Sequence, residues 1–267
     1  MGTLRYAHPT FSSAETIHPK SGGLHIHTHI VSGLANRGAE KCTGTFSVSQ
    51  EIDPAIFYFG TPVVLIGSTN EDGSFNLAPM SSAWWIGWRC MLGLATHSKT
   101  TENMIRSGEC VLNLPSAALV GAVDRLARTT GSDPVPPGKL MRGYRHARDK
   151  FGLCGLTPAA GETVAAPRAL ECPVQIEATV AQVHAMAEED AVWRGNITAI
   201  EVRITRVHAH PAIMMEGPPD RIDPDKWRPL IMSFQQFYGL TPQKLQRSEL
   251  GQIPEAMYKP SGWKPAA

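Results

Sequence analysis

Two segments late in the chain alternate between apolar and polar residues with a period of two. They are Val174–Val183 and Asn196–His208, and in the second isoleucine and valine alternate with charged and hydroxyl residues. Because successive side chains of a strand point to opposite faces, this alternation predicts two β-strands. The polar and glycine residues between them, 188–195, are typical of a turn, so we expect the two strands to form a hairpin.

Shorter apolar runs predict three further strands: Val63–Thr69, Met91–Ala95 and Cys110–Leu114. A helix is predicted over Lys99–Ser107, where Gly108 suits a left-handed C-terminal cap. Apolar residues at helical spacing predict a second helix over Ser116–Thr129. Three prolines and two glycines make Thr130–Lys139 an expected exposed loop. Strands therefore dominate, which favours a barrel over a doubly wound parallel sheet.

The chain divides into three parts by composition. Residues 1–60 are rich in Ser, Thr, Gly and His and alternate only at 24–31, which predicts an N-terminal extension with one short strand. Residues 61–215 contain the strands above and are the predicted core. Residues 216–267 are predicted to be a closing segment and tail.

Charge and cysteine content limit the function classes. The 267 residues carry a formal net charge of +1, so no basic surface for nucleic acid is expected. No apolar run of about 18 residues occurs, so no membrane span is expected. Five cysteines without CxxC spacing favour free thiols and a cytoplasmic location. Only 18% of residues are charged, which favours a surface buried by a partner chain.

The segment Asn76–Ser82 is the first candidate for chemistry. It reads as a loop that Pro79 stiffens, because proline fixes its own φ and biases Ala78 toward an extended conformation. Its small residues let backbone donors and acceptors approach the edge of a flat ring. An ordinary turn between strands has the same pattern.

The segment Ser98–Asn103 is the second candidate. A helix that begins here would present unpaired N–H groups and a partial positive charge, which favour a phosphate. Lys99 adds a full charge, and three hydroxyl residues add donors. A helix capped by Ser98 or Thr100, without a ligand, accounts for the same residues.

Together these elements, with a strand between them, resemble the flavin-reductase-like family, whose members bind FMN on a split β-barrel. The resemblance covers about residues 55–240 and implies a mostly β split barrel with a few excursion helices. It implies flavin-ring contacts from Asn76, Leu77, Ala78, Pro79, Ser81 and Ser82. It implies phosphate contacts from Ser98, Lys99, Thr100, Thr101 and Asn103.

Three further residues are predicted on the substrate side of the flavin. Trp84 belongs to a group of three tryptophans that would enclose a pocket or seal a subunit interface. His208 lies on a segment similar to a late strand of the family, and a buried structural histidine is the alternative. Tyr238 lies in a segment similar to the family's closing segment, while 149–157 resembles its lid region.

The histidines at 25, 27 and 29 would share one face of a strand, a spacing that can chelate a transition metal. No carboxylate or cysteine lies immediately beside them, so a histidine-bearing surface strand is the favoured interpretation.

The resemblance implies an oxidoreductase that transfers hydride from NAD(P)H to FMN, with FAD as a possible substitute. Reduced flavin would pass to an acceptor such as a monooxygenase. A homodimer is expected, and no catalytic acid–base residue is assigned, because hydride donation needs orientation more than proton transfer. GxGxxG, P-loop, GxSxG and HExxH motifs are absent. The alternatives are an FMN-dependent oxygenase or oxidase and a flavin-binding module without activity.

Overall fold

Every strand that the hydrophobic pattern predicts between residues 63 and 208 is present in the structure. The computed structural model describes residues 49–218 and 220–258. The chain divides at Ile52, and every element described below belongs to the unit that starts at Asp53. The predicted strand at 24–31 and the three histidines within it lie outside the described residues.

The strands run in chain order as follows: β1 (Phe59–Pro62), β2 (Val64–Thr69), β3 (Phe75–Met80), β4 (Ala83–Ile86), β5 (Arg89–Ala95), β6 (Glu109–Leu114), β7 (Thr129–Thr130), β8 (Arg145–His146), β9 (Pro158–Ala159), β10 (Arg168–Ala169), β11 (Val174–Ala185), β12 (Ile197–Ala209), β13 (Leu230–Ser233) and β14 (Gln236–Gly239). The α-helices are α1 (Lys99–Ser107), α2 (Val120–Arg125), α3 (Pro137–Leu140) and α4 (Lys150–Cys154). Short 3₁₀ turns occur at Ala117–Leu119, Pro211–Ile213, Glu249–Gln252 and Glu255–Tyr258.

Seven antiparallel strands form the main sheet, in the order β3-β2-β6-β11-β12-β5-β4. The predicted hairpin of β11 and β12 is confirmed, since Val174 opposes Ala209 and Ala185 opposes Thr198. β3 and β4 lie at opposite edges of this sheet, yet only Ser81 and Ser82 join them. A two-residue link can connect the edges only if the sheet curls round on itself, so the sheet forms a barrel.

Both faces of this curled sheet are covered with apolar side chains. Along β2, Val64 and Ile66 belong to the core inside the barrel. The alternate residues Val63 and Leu65 belong to a second core, which α2 and α4 cover with Val123 and Phe151, among others. Because both faces of β2 are buried, its sequence is a continuous apolar run rather than an alternation.

The predicted helix after β5 is confirmed at both ends. Ser98 is the N-cap, and its hydroxyl accepts a hydrogen bond from the backbone N–H of Thr101 at 3.1 Å. Gly108 ends α1 with φ of 73°, in the left-handed region. These two caps therefore fix where α1 begins after β5 and where it ends before β6.

The prediction of a loop at Asn76–Ser82 was wrong for most of its length. Residues up to Met80 form β3, which pairs along its whole length with β2. Pro79 is accommodated because β3 is the outermost strand, where a missing backbone N–H breaks no ladder on the open side. After Ser82 the chain forms the strand β4, which carries Trp84.

The predicted helix over Ser116–Thr129 was too long. A 3₁₀ turn at Ala117–Leu119 precedes α2, which ends at Arg125. The following segment, predicted as an exposed loop, is irregular and exposed at Asp133 and Pro134, but Thr130 is buried and pairs with His146 across the short β7–β8 bridge, and α3 begins at Pro137. Its start therefore returns to the core, where it contributes to the site below.

Among the described helices, none is long and apolar enough to cross a membrane. The four described cysteines, Cys90, Cys110, Cys154 and Cys172, are free and buried. Burial raises the pKa of the Cys90 thiol to about 12, so this thiol is protonated and unreactive near neutral pH.

Candidate functional site

A cavity of about 660 Å³ lies at the open edge of the barrel. Its walls come from β3, the first turn of α1, the end of α2, the segment 129–131 and the hairpin of β13 and β14. Apolar side chains line one part of it: Val63, Leu94, Val123, Leu126, Met232 and Phe237. The volume falls within the range of small-molecule sites, which are typically apolar with a few placed polar groups.

The two segments that sequence analysis predicted as a site meet at this cavity. Ala78, Pro79 and Ser81 line it from β3, while the first turn of α1 lines it with the residues Ser98, Lys99 and Thr100. Asn76 connects the two segments, because its Nδ2 donates to Thr100 Oγ1 at 3.1 Å. The segments are 24 residues apart in sequence, and this hydrogen bond fixes one against the other.

The remaining predicted contacts lie behind the cavity wall and support it. Thr101 Oγ1 donates to the carbonyl of Ala95 at 2.8 Å, and Asn103 Nδ2 donates to Asn70 Oδ1 at 2.8 Å. Leu77 is buried in the second core, and the backbone carbonyl of Ser82 accepts from the backbone N–H of Gly93 at 2.8 Å. These contacts therefore hold the segments in place, and these residues do not line the cavity in this chain.

The charge of Lys99 is already compensated by neighbouring carboxylates. Its Nζ lies 2.7 Å from Glu71 Oε2 and 3.7 Å from Glu102 Oε2. The hydrogen bond from Lys99 is the main cause that lowers the pKa of Glu71. Lys99 can still donate to an anion, but it shares its charge with two acids.

The open edge of β3 supplies backbone hydrogen-bonding groups. An outermost antiparallel strand leaves every second residue with its N–H and C=O unpaired by the sheet. Since Pro79 occupies an outward position, the alternation gives the open side the C=O of Pro79 and the N–H and C=O of Leu77, while Ala78 and Met80 pair with β2. This edge can therefore present both donors and acceptors to a planar ligand without charged side chains.

One buried acceptor at the cavity has no partner among the described residues. Asn76 is buried, and its Oδ1 lacks a hydrogen bond there. Gly131 lines the cavity beside it, and a Cβ at Gly131 would lie only 2.8 Å from that oxygen. Since an unpaired buried acceptor is costly, a hydrogen-bond donor from a ligand or a water would stabilise this corner beside the cavity.

Sequence analysis missed the cations that reach this cavity from the α2–α4 region: Arg128, Lys139 and Lys150. Arg128 lies near the end of the segment predicted as a helix, and Lys139 is the last residue of the predicted exposed loop. Lys150 is only 3% exposed. The sequence indicates the burial of Lys150 only through its spacing: it lies four residues before the buried Cys154 on α4, which puts both side chains on the same helix face.

Burial determines the ionisation of these lysines. It lowers the pKa of Lys150 to about 8, with a further contribution from the positive charge of Lys139. Burial also lowers the pKa of Lys139, whose Nζ donates to Thr130 Oγ1 at 3.2 Å. Near neutral pH the cavity therefore holds a buried positive charge at Lys150.

The three residues predicted on the substrate side lie outside this cavity in the single chain. Trp84 is 55% exposed on β4, while Trp85 and Trp88 pack against the core inside the barrel. Tyr238 is 56% exposed, and its neighbour Phe237 lines the cavity instead, because successive side chains of β14 point to opposite faces.

His208 belongs to a second polar centre, around the buried carboxylate of Glu177. Its Nε2 lies 2.7 Å from Glu177 Oε1. Glu177 also accepts hydrogen bonds from the backbone N–H of Glu162 and from both the N–H and the hydroxyl of Thr163. Burial alone would raise the pKa of Glu177, but these hydrogen bonds outweigh it and lower the pKa to about 2.

Within residues 49–218 and 220–258, no group of His, Cys, Asp and Glu side chains is placed to hold a metal ion. The histidines at 25, 27 and 29 are not among these residues, so their metal-binding role stays a prediction.

Residues 56–238 match the family model described as Flavin reductase like domain. The chain belongs to this flavin reductase-like family. An uncharacterised Bacillus subtilis (strain 168) protein, YdfE, is 36% identical over 191 residues, which are 72% of this chain and 89% of that protein.

Solved structures of other proteins share the fold of this chain. Flavoredoxin of Desulfovibrio vulgaris (Miyazaki F) superimposes with a TM-score of 0.60 at 20% identity, covering 76% of this chain and all of its own. Nitrilotriacetate monooxygenase component B from Bacillus cereus superimposes with a TM-score of 0.59 at 18% identity. The match covers 75% of this chain and 100% of that one. The split-barrel fold predicted from sequence is thereby confirmed.

Proposed function

We propose that this protein binds FMN in the cavity between β3 and α1 and catalyses hydride transfer from NAD(P)H to it. The observation that carries this proposal is the meeting of Ala78–Ser81 with Ser98–Thr100 in one cavity, joined through Asn76. Family membership and the apolar cavity walls support it. FAD, whose adenylate would extend beyond the first phosphate, is the alternative flavin.

The residues fit such a group by their chemistry. The open edge of β3 offers backbone donors and acceptors for the polar edge of the ring system, and Asn76 Oδ1 awaits a donor. Apolar side chains such as Leu94 and Phe237 suit the ring faces. The first turn of α1 is suited to a phosphate, because its N–H groups and its dipole favour an anion.

Bound flavin would supply the redox chemistry, accepting a hydride from NAD(P)H and passing electrons to an acceptor such as a monooxygenase. The chain's own contribution is to orient the ring on β3 and to exclude water with the hairpin of β13 and β14. No acid–base residue is assigned, since hydride transfer depends on orientation. The monooxygenase partner is suggested by the printed name of one structural neighbour, component B of a two-component system.

We also propose a homodimer in the cytoplasm. Beside the sheet of β1, β13 and β14, which lines part of the cavity, the side chains of Phe57, Phe59 and Phe234 are exposed and lie close together. The rings of Phe59 and Phe234 meet edge to face with centroids 4.8 Å apart. A contiguous exposed aromatic group of this kind is typical of an interaction surface.

The visible spectrum tests the proposed function directly. Purified protein should take up FMN, and under anaerobic conditions NADH or NADPH should bleach the flavin absorbance catalytically. Binding of FMN without bleaching by either nucleotide would favour the alternative of a flavin-binding module without activity. Conversion of an organic substrate without a second protein would favour the oxygenase or oxidase. Failure to bind FMN at saturating concentration would contradict the proposal.

Lys99→Ala should weaken FMN binding more than riboflavin binding, because the two ligands differ only in the phosphate. The expected loss for FMN is about tenfold, a typical value for one charge-assisted hydrogen bond. Titration of both ligands measures the ratio. Lys244→Ala is the matched control, since Lys244 is a half-exposed lysine paired with Asp225, away from the cavity. Equal losses for FMN and riboflavin would reject the phosphate assignment.

A further inference from the structure

Lys150 is a buried cation for which the described protein provides no counter-charge. Its side chain lines the cavity and is 3% exposed. Neither a hydrogen bond nor an ion pair to its Nζ occurs among residues 49–218 and 220–258, although Lys99 in the same cavity has two acidic partners. Buried charges are normally paired, so the structure leaves an anion's place open beside Lys150.

The other charged residues around the cavity also leave an excess of positive charge. Among the described residues that line the cavity, those with charge besides Lys99 are three cations, Arg128, Lys139 and Lys150, and one acid, Asp124. The excess is two positive charges, three minus one. A phosphate monoester carries about −1.5 to −2 charges at neutral pH, so it matches this excess closely.

Lys139 belongs to the same subsite as Lys150. Lys139 lines the same cavity as Lys150, and its positive charge adds to the effect of burial in lowering the pKa of that lysine. Lys139 is oriented by its hydrogen bond to Thr130 Oγ1, 3.2 Å away. Two like charges held together in a partly buried wall repel each other, and a shared anion would relieve that repulsion.

We propose that Lys150 and Lys139 form a phosphate subsite of this cavity, in addition to the first turn of α1. The inference rests on the proposed function, and it assigns the uncompensated part of the positive charge to these two lysines rather than to Lys99. The phosphate belongs either to the flavin nucleotide or to the nicotinamide nucleotide that reduces it. Both sources present the same chemistry to the two ammonium groups.

The test compares Lys150→Met, which keeps length and removes charge, with Lys150→Arg, which keeps the charge. Lys244→Met serves as a control for a lysine outside the cavity. If the flavin supplies the phosphate, Lys150→Met should raise the Kd of FMN about tenfold or more and change the Kd of riboflavin less than about twofold. Lys150→Arg should recover most of the loss.

If the nicotinamide nucleotide supplies the phosphate, the ratio of FMN to riboflavin affinity stays unchanged. The KM for NADH or NADPH, measured with riboflavin as the flavin, should then rise about tenfold in Lys150→Met and not in Lys150→Arg. Unchanged flavin affinities together with an unchanged KM would overturn the subsite, while the proposed function would stand.

Inorganic phosphate separates the subsite from the proposed function. It should raise the unfolding temperature of the wild type and have no such effect on Lys150→Met. This result would support the subsite even if the wild type bound neither FMN nor riboflavin, in which case the proposed function alone would fail. Equal phosphate effects on the two proteins would contradict the subsite.

Discussion

Replacing Lys150 with methionine is expected to stabilise the ligand-free protein by about 3 kcal/mol at pH 7. The pKa of Lys150 falls from 10.5 to about 8 on folding, and each pKa unit corresponds to about 1.4 kcal/mol. Methionine removes the buried charge while it retains an unbranched side chain of similar length. Urea unfolding of both proteins measures the difference.

The pH dependence of that difference identifies its cause. Between pH 8 and pH 10.5 the unfolded chain binds a proton at Lys150 that the folded chain does not, so wild-type stability rises with pH in this window. Lys150→Met lacks this rise, and its advantage should shrink as the pH increases from 8 to 10.5. Lys244→Met should follow the wild type. A constant difference across the window would show that packing, not charge, separates the two proteins.

A more stable variant that binds its nucleotide less tightly would show that the lysine is retained for function. Sites of this kind are often destabilising in the absence of ligand, because their charges are arranged for a partner. The same variant therefore connects the stability measurement with the binding measurement above.

Glu177→Gln is expected to destabilise the protein by about 3 kcal/mol at pH 7, the second large effect. The carboxylate is completely buried and accepts from the N–H groups of Glu162 and Thr163 and from His208. An amide would bring two N–H donors against these donors, and a buried group that loses its partners is costly. Thermal or urea unfolding of the variant provides the measurement.

The stability that Glu177 contributes should disappear in acid. Its folded pKa of about 2 lies below the ordinary value of 4.5, so the contribution is complete above pH 4.5 and is lost as the pH falls to 2. Glu171→Gln is the matched control. Glu171 also accepts from a backbone N–H, that of Thr157, but it is only partly buried, so about 1 kcal/mol or less is expected. Equal effects of the two substitutions would contradict the account of Glu177.

Glu177 also shows where reasoning from sequence stopped. The period of two places it on the face opposite Ile176, together with Gln175 and Thr179. The segment around Glu162 and Thr163 folds over this face and buries it. Nothing in the alternation of one strand reveals a segment that covers it, since the contacts join residues 14 and 15 positions apart and depend on how the chain between them turns back.

The misassigned β3 has a different origin. Pro79 and small residues are typical of loops, but an edge strand tolerates both, because its outer side has no ladder to break. Whether a strand is at an edge depends on the order of the whole sheet, which local composition does not contain. The consequence for the site is favourable, since an open strand edge offers backbone groups in a fixed order.

The amino-acid sequence by itself determined five strands between Val63 and His208, the caps of α1 and the two segments that meet at the cavity. These features depend on local periodicity and on residues with special backbone preferences, which act over a few positions. Only the tertiary structure decided that Asn76 joins those segments, that Phe237 rather than Tyr238 faces the cavity, and that Lys150 lies buried there with no acid paired to it among residues 49–218 and 220–258. Burial and pairing arise where distant parts of the chain come together, so no local pattern records them.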